Sequence, residues 1–332
     1  MVIAPVKEIP PAALSPHSHT GRSAFGSVPT PALILAAMLS IQFGAIIAKH
    51  LFELLGSGPT AALRLLVAAA IAMALWRPSL RIDRQALPGI AGLGVSVAVM
   101  NWSFYAAIER IPLGIAVTID FLGPLAVAVA SSRRGRDLVW ALLAGGGVLL
   151  LMKTGGAVSF TGVLFALLAA AGWGSYIVFS KVVGERTSGH DGLALALGFG
   201  GILALPLVAA DASSALLDPM VLLGIVGIAV LSSLVPHAIE LQALRRITAS
   251  TFGVLMSLEP AVAAGVGLLL LSEGLHLTQW IGVGLVIAAA AGAARLTGEP
   301  KTPRPQSQSQ SQSQSQSQSQ SQSQSQREII AA

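Results

Sequence analysis

Long apolar runs separated by short polar loops make up most of this chain of 332 residues. A helix needs about 20 mostly apolar residues to cross a hydrocarbon layer of roughly 30 Å. We predict one membrane-spanning helix in each of ten runs, at 31 to 49, 58 to 76, 87 to 107, 113 to 131, 137 to 153, 159 to 180, 192 to 210, 219 to 242, 250 to 271 and 276 to 295. The pattern therefore predicts an all-α integral membrane protein.

The composition supports this prediction and excludes several kinds of chemistry. Hydrophobic residues make up 54% of the chain and charged residues 11%, with a mean hydropathy of +0.74, which is too apolar for a soluble domain of this length. Without cysteine there is no thiol nucleophile and no cysteine-based metal site. The net charge of +5 comes from basic residues in short loops, so we expect contact with the lipid bilayer and none with nucleic acid.

The loop charges predict the orientation of the chain. With the amino terminus in the cytoplasm, the outer loops hold three basic residues, whereas the inner loops hold ten: Arg77, Arg81, Arg84, Arg133, Arg134, Arg136, Lys181, Arg186, Arg245 and Arg246. Basic residues concentrate in cytoplasmic loops, so we expect both termini there. We predict disordered cytoplasmic tails at 1–30 and 297–332, the second rich in Ser-Gln repeats.

The chain also repeats itself at an offset of 136 residues. This offset places 107–114 on 243–250 and carries Pro124 onto Pro260. We predict a first five-helix repeat at 31–153 and a second at 159–296. Since five is an odd number, the second repeat enters the membrane from the opposite side, and inverted repeats of this kind favour alternating access around a central site.

Two acids lie inside these apolar spans. Asp120 precedes Pro124 in the fourth span, and Glu259 directly precedes Pro260 in the ninth. A charged group near the bilayer centre costs about 2.5 to 3.5 kcal/mol on insertion scales, so we expect these acids to be functional. The two acids are not equivalent in the repeat, because the offset of 136 residues aligns Asp120 with Met256 and not with Glu259.

Several of these residues carry a family resemblance that covers roughly 31 to 296. The two five-helix halves, Glu259-Pro260 and the run from Gln279 to Gly284 resemble the EamA family of the drug/metabolite transporter superfamily. The stretch from Asn101 to Ala130 is more narrowly similar to its threonine/homoserine exporters. The resemblance implies ten helices around a central cavity, outward movement of small amino acids against protons, and a location in the bacterial inner (plasma) membrane. The exporters more often carry Glu where this chain has Asp120.

A zwitterionic amino acid needs an anion for its ammonium group and a donor for its carboxylate. Asp120 or Glu259 can meet the ammonium group, and we assign this task to Asp120. Arg64 in the second span can bind a carboxylate with two parallel hydrogen bonds. It can instead pair with one of the acids and so lower the cost of burial.

We assign Glu259 to proton coupling. Removal from water favours the protonated form of a carboxyl group, so either acid could hold a proton in one state and release it in another. Pro260 removes a backbone donor and allows a kink beside Glu259. We therefore predict that Pro124 and Pro260 take part in gating. A helix-to-helix hydrogen bond is the structural alternative for Glu259.

Neutral polar groups complete the predicted site. Asn101 and Tyr105 are four residues apart on the third span and therefore share one face. Trp173 and Tyr176 can line a cavity in the sixth span or simply pack there, and Tyr105 can instead anchor the helix at the membrane interface. Gln42 in the middle of the first span is a further substrate-binding candidate.

His237 and Glu240 lie three residues apart in the eighth span and are candidates for an inner gate. They do not suffice for a metal site, and we expect neither a metal nor a cofactor. We expect Glu109, Arg110 and Glu273 in the loops to be solvated. Small residues four apart, such as Ala141 with Gly145 and Ala261 with Gly265, predict helix packing.

Other functions remain possible at this stage. An intramembrane enzyme is disfavoured because only one aspartate is buried and no Gly-x-Ser-Gly run occurs. No nucleotide-binding loop is present, so the energy for transport must come from a gradient. Transport of another small metabolite or of a lipid-linked substrate is the closest alternative, and neither the exact substrate nor the oligomeric state follows from the sequence.

Overall fold

The computed structural model describes residues 28–79, 84–131, 138–152, 158–187, 191–210, 218–244 and 246–296. Every regular element in this part of the chain is a helix, which confirms the all-α prediction there. The predicted tails lie outside the described residues, apart from 28–30 at the end of the first. So do Arg81, Arg133, Arg134, Arg136 and Arg245 of the predicted inner loops.

The helices follow the predicted apolar runs. In chain order they are α1 (Thr30–Leu55), α2 (Ser57–Trp76), α3 (Leu87–Arg110), α4 (Leu113–Asp120), α5 (Leu122–Ser131), α6 (Leu138–Met152), α7 (Phe160–Arg186), α8 (Asp191–Ala210), α9 (Pro219–Ala229), α10 (Val235–Leu244), α11 (Ala249–Met256), α12 (Glu259–Leu270) and α13 (Leu277–Leu296). Eight helical stretches within the described residues are long and apolar enough to cross a membrane. Leu138–Met152 and Pro219–Leu234 are shorter apolar stretches.

Two predicted spans are each broken into two helices. The fourth span consists of α4 and α5, which meet at Phe121, and the ninth consists of α11 and α12, which meet at 257–258. The prolines follow the breaks, because Pro124 lies in the first turn of α5 and Pro260 in the first turn of α12. A first-turn residue has no intrahelical acceptor for its N–H, so proline is tolerated there. The acids flank the breaks: Asp120 ends α4 and Glu259 begins α12.

The eighth span is continuous but contains a π-helical turn at Val230–Leu234 between α9 and α10. A π turn changes the backbone hydrogen-bond register and is frequent at functional sites. Ser40 Oγ of α1 donates a hydrogen bond of 2.7 Å to the carbonyl oxygen of Leu231 in this turn. A side chain at Gly44 would collide with Ser232, so glycine allows α1 to approach the turn closely.

The helices pack mainly in pairs taken from the two halves of the chain. The larger contacts join α3 to α7, α2 to α8, α4 to α12 and α6 to α13, while α1 packs on α9 and α10. At the crossing of α4 and α12, an added Cβ at Gly114 would lie 2.5 Å from Ala264 Cα. The packing predicted for Gly145 and Gly265 is wrong, because both have open space around them. Gly147 and Gly282 bring α6 and α13 together instead.

Candidate functional site

Arg64 lies within the bundle, on α2, among neutral partners. One guanidinium nitrogen donates to Asn101 Oδ1 on α3, and the other lies 3.5 Å from both the Ser232 carbonyl oxygen and Ser233 Oγ in the π turn. Its buried Nε has no hydrogen-bond partner among the described residues. Arg64 forms no ion pair with Asp120 or Glu259, so the pairing that the sequence left open as an alternative is absent.

Asn101 and Tyr105 both face Arg64 from α3. The Asn101 amide nitrogen is held by the Val97 carbonyl oxygen at 2.8 Å, which leaves its Oδ1 for Arg64. The Tyr105 ring lies 5.5 Å from Arg64 Cζ, a cation–π distance. Its hydroxyl is buried and interacts with the Arg64 guanidinium. Together these three residues form a cationic cluster, in which the Arg64 Nε donor is unused among the described residues.

Asp120 and Glu259 form a second, acidic region at the helix breaks. Both side chains are buried, and Asp120 Oδ1 has no hydrogen-bond partner among the residues that the structure describes. Asp120 ends α4 and Glu259 begins α12, and these two helices pack against each other.

Aromatic residues border these regions. Trp173 of α7 makes an edge-to-face contact with Phe121, the residue after Asp120, with 5.2 Å between the ring centroids. Tyr176 packs between two apolar clusters that contain Leu65 and Leu93. Packing is therefore the observed role of both residues. Trp173 also lies near Asp120, because its contact partner Phe121 is the next residue in the chain.

Gln42 of α1 is fully buried, with an exposed fraction of 0%. Neither Oε1 nor Nε2 has a hydrogen-bond partner within the described residues. Buried amides are nearly always hydrogen-bonded, so this one requires an explanation.

The two inner-gate candidates have different outcomes. Glu240 is half-buried on α10. His237 belongs to α10, but its side chain lies outside the described residues. In the described part of the chain, no cluster of three or more metal-binding side chains occurs.

The expectation that Glu273 is solvated is wrong. Its carboxylate pairs with Lys49 of α1, and its Oε2 accepts a hydrogen bond of 2.7 Å from the backbone N–H of Leu113 at the start of α4. The side chains of Lys49 and Glu273 are only 18% and 17% exposed. One carboxylate thus joins three elements. The available signal was that Lys49 and Glu273 carry opposite charges in loops predicted on the same side of the membrane.

Gln279 is a second residue whose role the sequence reading did not predict. Its Oε1 accepts from the backbone N–H of His276 at 2.9 Å, three residues earlier, at the start of α13. This contact is the return half of a capping box, for which Gln at the third helical position is the sequence signal.

A bundle of long apolar helices, with buried charges and polar groups inside it, defines a multi-pass membrane protein with an internal polar site. Residues 160–295 match the EamA-like transporter family. Proteins named threonine/homoserine exporter RhtA, from Escherichia coli (strain K12) and from Salmonella typhimurium (strain LT2), are each 40% identical to this chain over 267 residues. The match covers 79% of this chain and 90% of theirs.

This chain therefore belongs to the EamA-like transporter family, and it is not an enzyme. A solved crystal structure with 18% sequence identity matches the fold with a TM-score of 0.55, over 81% of this chain and 99% of that chain. That match supports the helical architecture alone.

Proposed function

We propose that this protein exports small hydroxylated amino acids, threonine or homoserine, across the membrane in exchange for protons. The substrate class comes from the names of relatives that are 40% identical over most of the chain. The observation that carries the proposal is the state of Arg64: a cation inside the bundle whose described hydrogen-bond partners are all neutral. An enclosed cation without a partner of opposite charge is costly, and a substrate carboxylate would supply one.

The acids supply the complementary charge. A zwitterion offers an ammonium group as well as a carboxylate, and Asp120 has a buried oxygen without a partner among the described residues. We assign the ammonium group to Asp120 and the proton to Glu259. The acids end α4 and begin α12, two helices that pack against each other, so both can serve the same internal site.

The architecture proposed for this function is two inverted repeats of five helices, 31–153 and 159–296. At the offset of 136 residues, Leu113–Asp120 falls on Ala249–Met256, so the two helix breaks occupy matching positions. The packing supports the same relation, since the contact of α1 with α9 and α10 has its counterpart in the contact of α3 with α7. Alternating access follows from two such halves that rock around one site, with Pro124, Pro260, His237 and Glu240 as candidates for gating.

The remaining residues have supporting roles in this proposal. Asn101 holds the Arg64 guanidinium in place, and the buried hydroxyl of Tyr105 beside it can donate its proton to the substrate carboxylate. Trp173, which packs on Phe121 next to Asp120, forms part of the wall of the substrate site in this proposal. Tyr176 packs between two apolar clusters. The proposed location is the inner (plasma) membrane, with both termini in the cytoplasm, as the loop charges predict.

Transport by purified protein in lipid vesicles tests this proposal. With a pH gradient imposed across the vesicle membrane, we expect movement of threonine and homoserine that stops when a protonophore collapses the gradient. A sugar and a lipid-linked substrate serve as comparisons, and we expect neither to move. Gradient-driven transport of either comparison substrate, without transport of the amino acids, would contradict the assignment and favour the alternative of another metabolite.

A further inference from the structure

Gln42, a substrate-binding candidate from the sequence, has no assigned partner in the proposed transport of the zwitterion. An amide group offers two donors and one acceptor with two lone pairs, and all of them are unused among the described residues. Leaving a buried polar group unpaired costs roughly 1 to 3 kcal/mol, so a partner that arrives with the substrate would recover this loss.

Helix geometry shows where the Gln42 side chain points. Ser40 and Gly44 lie on the face of α1 that contacts the π turn, and Gln42 lies about 200° around the helix from each of them. Met38 and Lys49, in contrast to Ser40 and Gly44, lie on nearly the same side of the helix as Gln42. Met38 belongs to a cluster against which Val262 of α12 packs.

Lys49 pairs with Glu273, which follows α12 in the chain. The face of α1 that carries Gln42 is therefore the face toward α12, the helix that begins at Glu259. Gln42 thus lies on the α12 side of α1, away from the face that contacts the π turn.

We propose that Gln42 recognises the side-chain hydroxyl of the transported amino acid and so determines specificity. This inference rests on the proposed function. The charged groups of the substrate already have partners in Arg64 and the acids, so the neutral amide remains for its uncharged polar group. An amide complements a hydroxyl well, because each can both donate and accept a hydrogen bond.

The two amino acids in the relatives' names share one chemical feature beyond the zwitterion. Both are 2-aminobutyrate with a single added hydroxyl, on the third carbon in threonine and on the fourth in homoserine. The flexible side chain of glutamine can move its amide between these two positions. The parent compound, 2-aminobutyrate, leaves the amide unpaired, and sites that are built to hydrogen-bond a hydroxyl reject analogues that lack it.

The experiment compares efflux of threonine, homoserine and 2-aminobutyrate from vesicles that contain the full chain. We expect the wild-type protein to prefer the hydroxylated substrates by about tenfold or more. Gln42→Met keeps the length of the side chain but removes the amide. In this variant we expect the fluxes of threonine and homoserine to fall to that of 2-aminobutyrate, which itself changes less than about twofold.

Ser103→Ala is the matched control, because Ser103 Oγ is also buried and without a described partner. We expect it to leave the preference unchanged. Should Gln42→Met fail to insert, Gln42→Asn withdraws the amide by one methylene and is expected to lower the preference for both hydroxylated substrates by unequal factors.

Two results would overturn the role of Gln42 and leave the proposed export function intact. One is a preference for hydroxylated substrates that persists in the Gln42 variant that inserts, and the other is an equal loss of all three fluxes. A wild-type protein that moves none of the three amino acids contradicts the proposed export function, and this inference with it.

Discussion

At the scale of single residues, the structure separates the charges of the site into two groups. Arg64 has neutral partners on α3 and in the π turn, whereas Asp120 and Glu259 lie at two helix breaks, on the packed helices α4 and α12. This separation suits a substrate that carries both charges. It also allows each charge to be tested with a substrate that lacks its counterpart.

Arg64→Gln should reduce threonine transport about tenfold or more, because a charge-assisted hydrogen bond is worth roughly 1.5 to 3 kcal/mol. Transport of threonine amide, which has no carboxylate, should change less than about twofold. The initial rates of both substrates in vesicles provide the measurement. If the variant instead fails to insert into the membrane, Arg64 is needed for folding and the carboxylate assignment loses its support.

The two acids should respond differently to neutralisation. We expect Glu259→Gln to retain exchange of threonine across the membrane but to lose accumulation driven by a pH gradient, because it cannot carry a proton. Asp120→Asn should weaken both processes, because it loses the ammonium partner. Counterflow and gradient-driven uptake assays distinguish the two outcomes, and proton coupling at the wild-type level in Glu259→Gln would refute the division of tasks.

At the scale of elements, the contact between α4 and α12 depends on the absence of a side chain at Gly114. Gly114→Ala places a Cβ 2.5 Å from Ala264 Cα, so the helices must separate, and overpacking of this kind typically costs about 1 to 3 kcal/mol. Gly265→Ala on α12 is the control, because nothing lies within 4 Å of its added Cβ. There alanine should be neutral or stabilising by up to about 1 kcal/mol. Thermal melting of the two purified variants measures the difference, and equal melting temperatures would contradict the packing.

The ion pair that joins α1 to the loop before α13 should also contribute to stability. Glu273→Ala removes both the Lys49 pair and the acceptor for the Leu113 N–H, with an expected cost of roughly 1 to 3 kcal/mol. Glu109→Ala removes a more exposed pair with Arg110, with side chains 37% and 33% exposed, together with the acceptor for the hydroxyl of Ser57. Its cost should be about 1 kcal/mol, below that of Glu273→Ala. Melting curves in detergent compare the two, and a larger loss in Glu109→Ala would count against the role of Glu273.

At the scale of the whole molecule, the orientation in the membrane can be tested directly because the chain contains no cysteine. Gly274, before α13, and Gly184, near the end of α7, are exposed and have open space around them. Single cysteines at these positions should therefore be tolerated. We expect a membrane-impermeant maleimide to label Gly274→Cys in intact cells and Gly184→Cys only after permeabilisation. The reverse pattern would invert the predicted orientation, and labelling of both in intact cells would contradict the number of crossings between them.

The sequence by itself determined the class of protein and the positions of the helices. Apolar runs of about 20 residues partition into lipid whatever their neighbours are, so hydropathy locates them without knowledge of the fold. The break near Pro260 is equally local, because a proline interrupts the hydrogen-bond pattern of its own helix.

Only the tertiary structure decided which polar groups meet. Arg64 reaches Ser232, and Lys49 reaches Glu273, across more than half of the chain. Ser40 and Arg64, from two other helices, donate hydrogen bonds to carbonyl oxygens of the π turn. The local sequence therefore did not predict this turn. These contacts depend on how the helices pack, and packing among uniformly apolar helices is set by small differences in shape that the hydropathy pattern does not record. For this reason the acids were recognisable in the sequence, whereas the neutral surroundings of Arg64 and the unpaired amide of Gln42 were not.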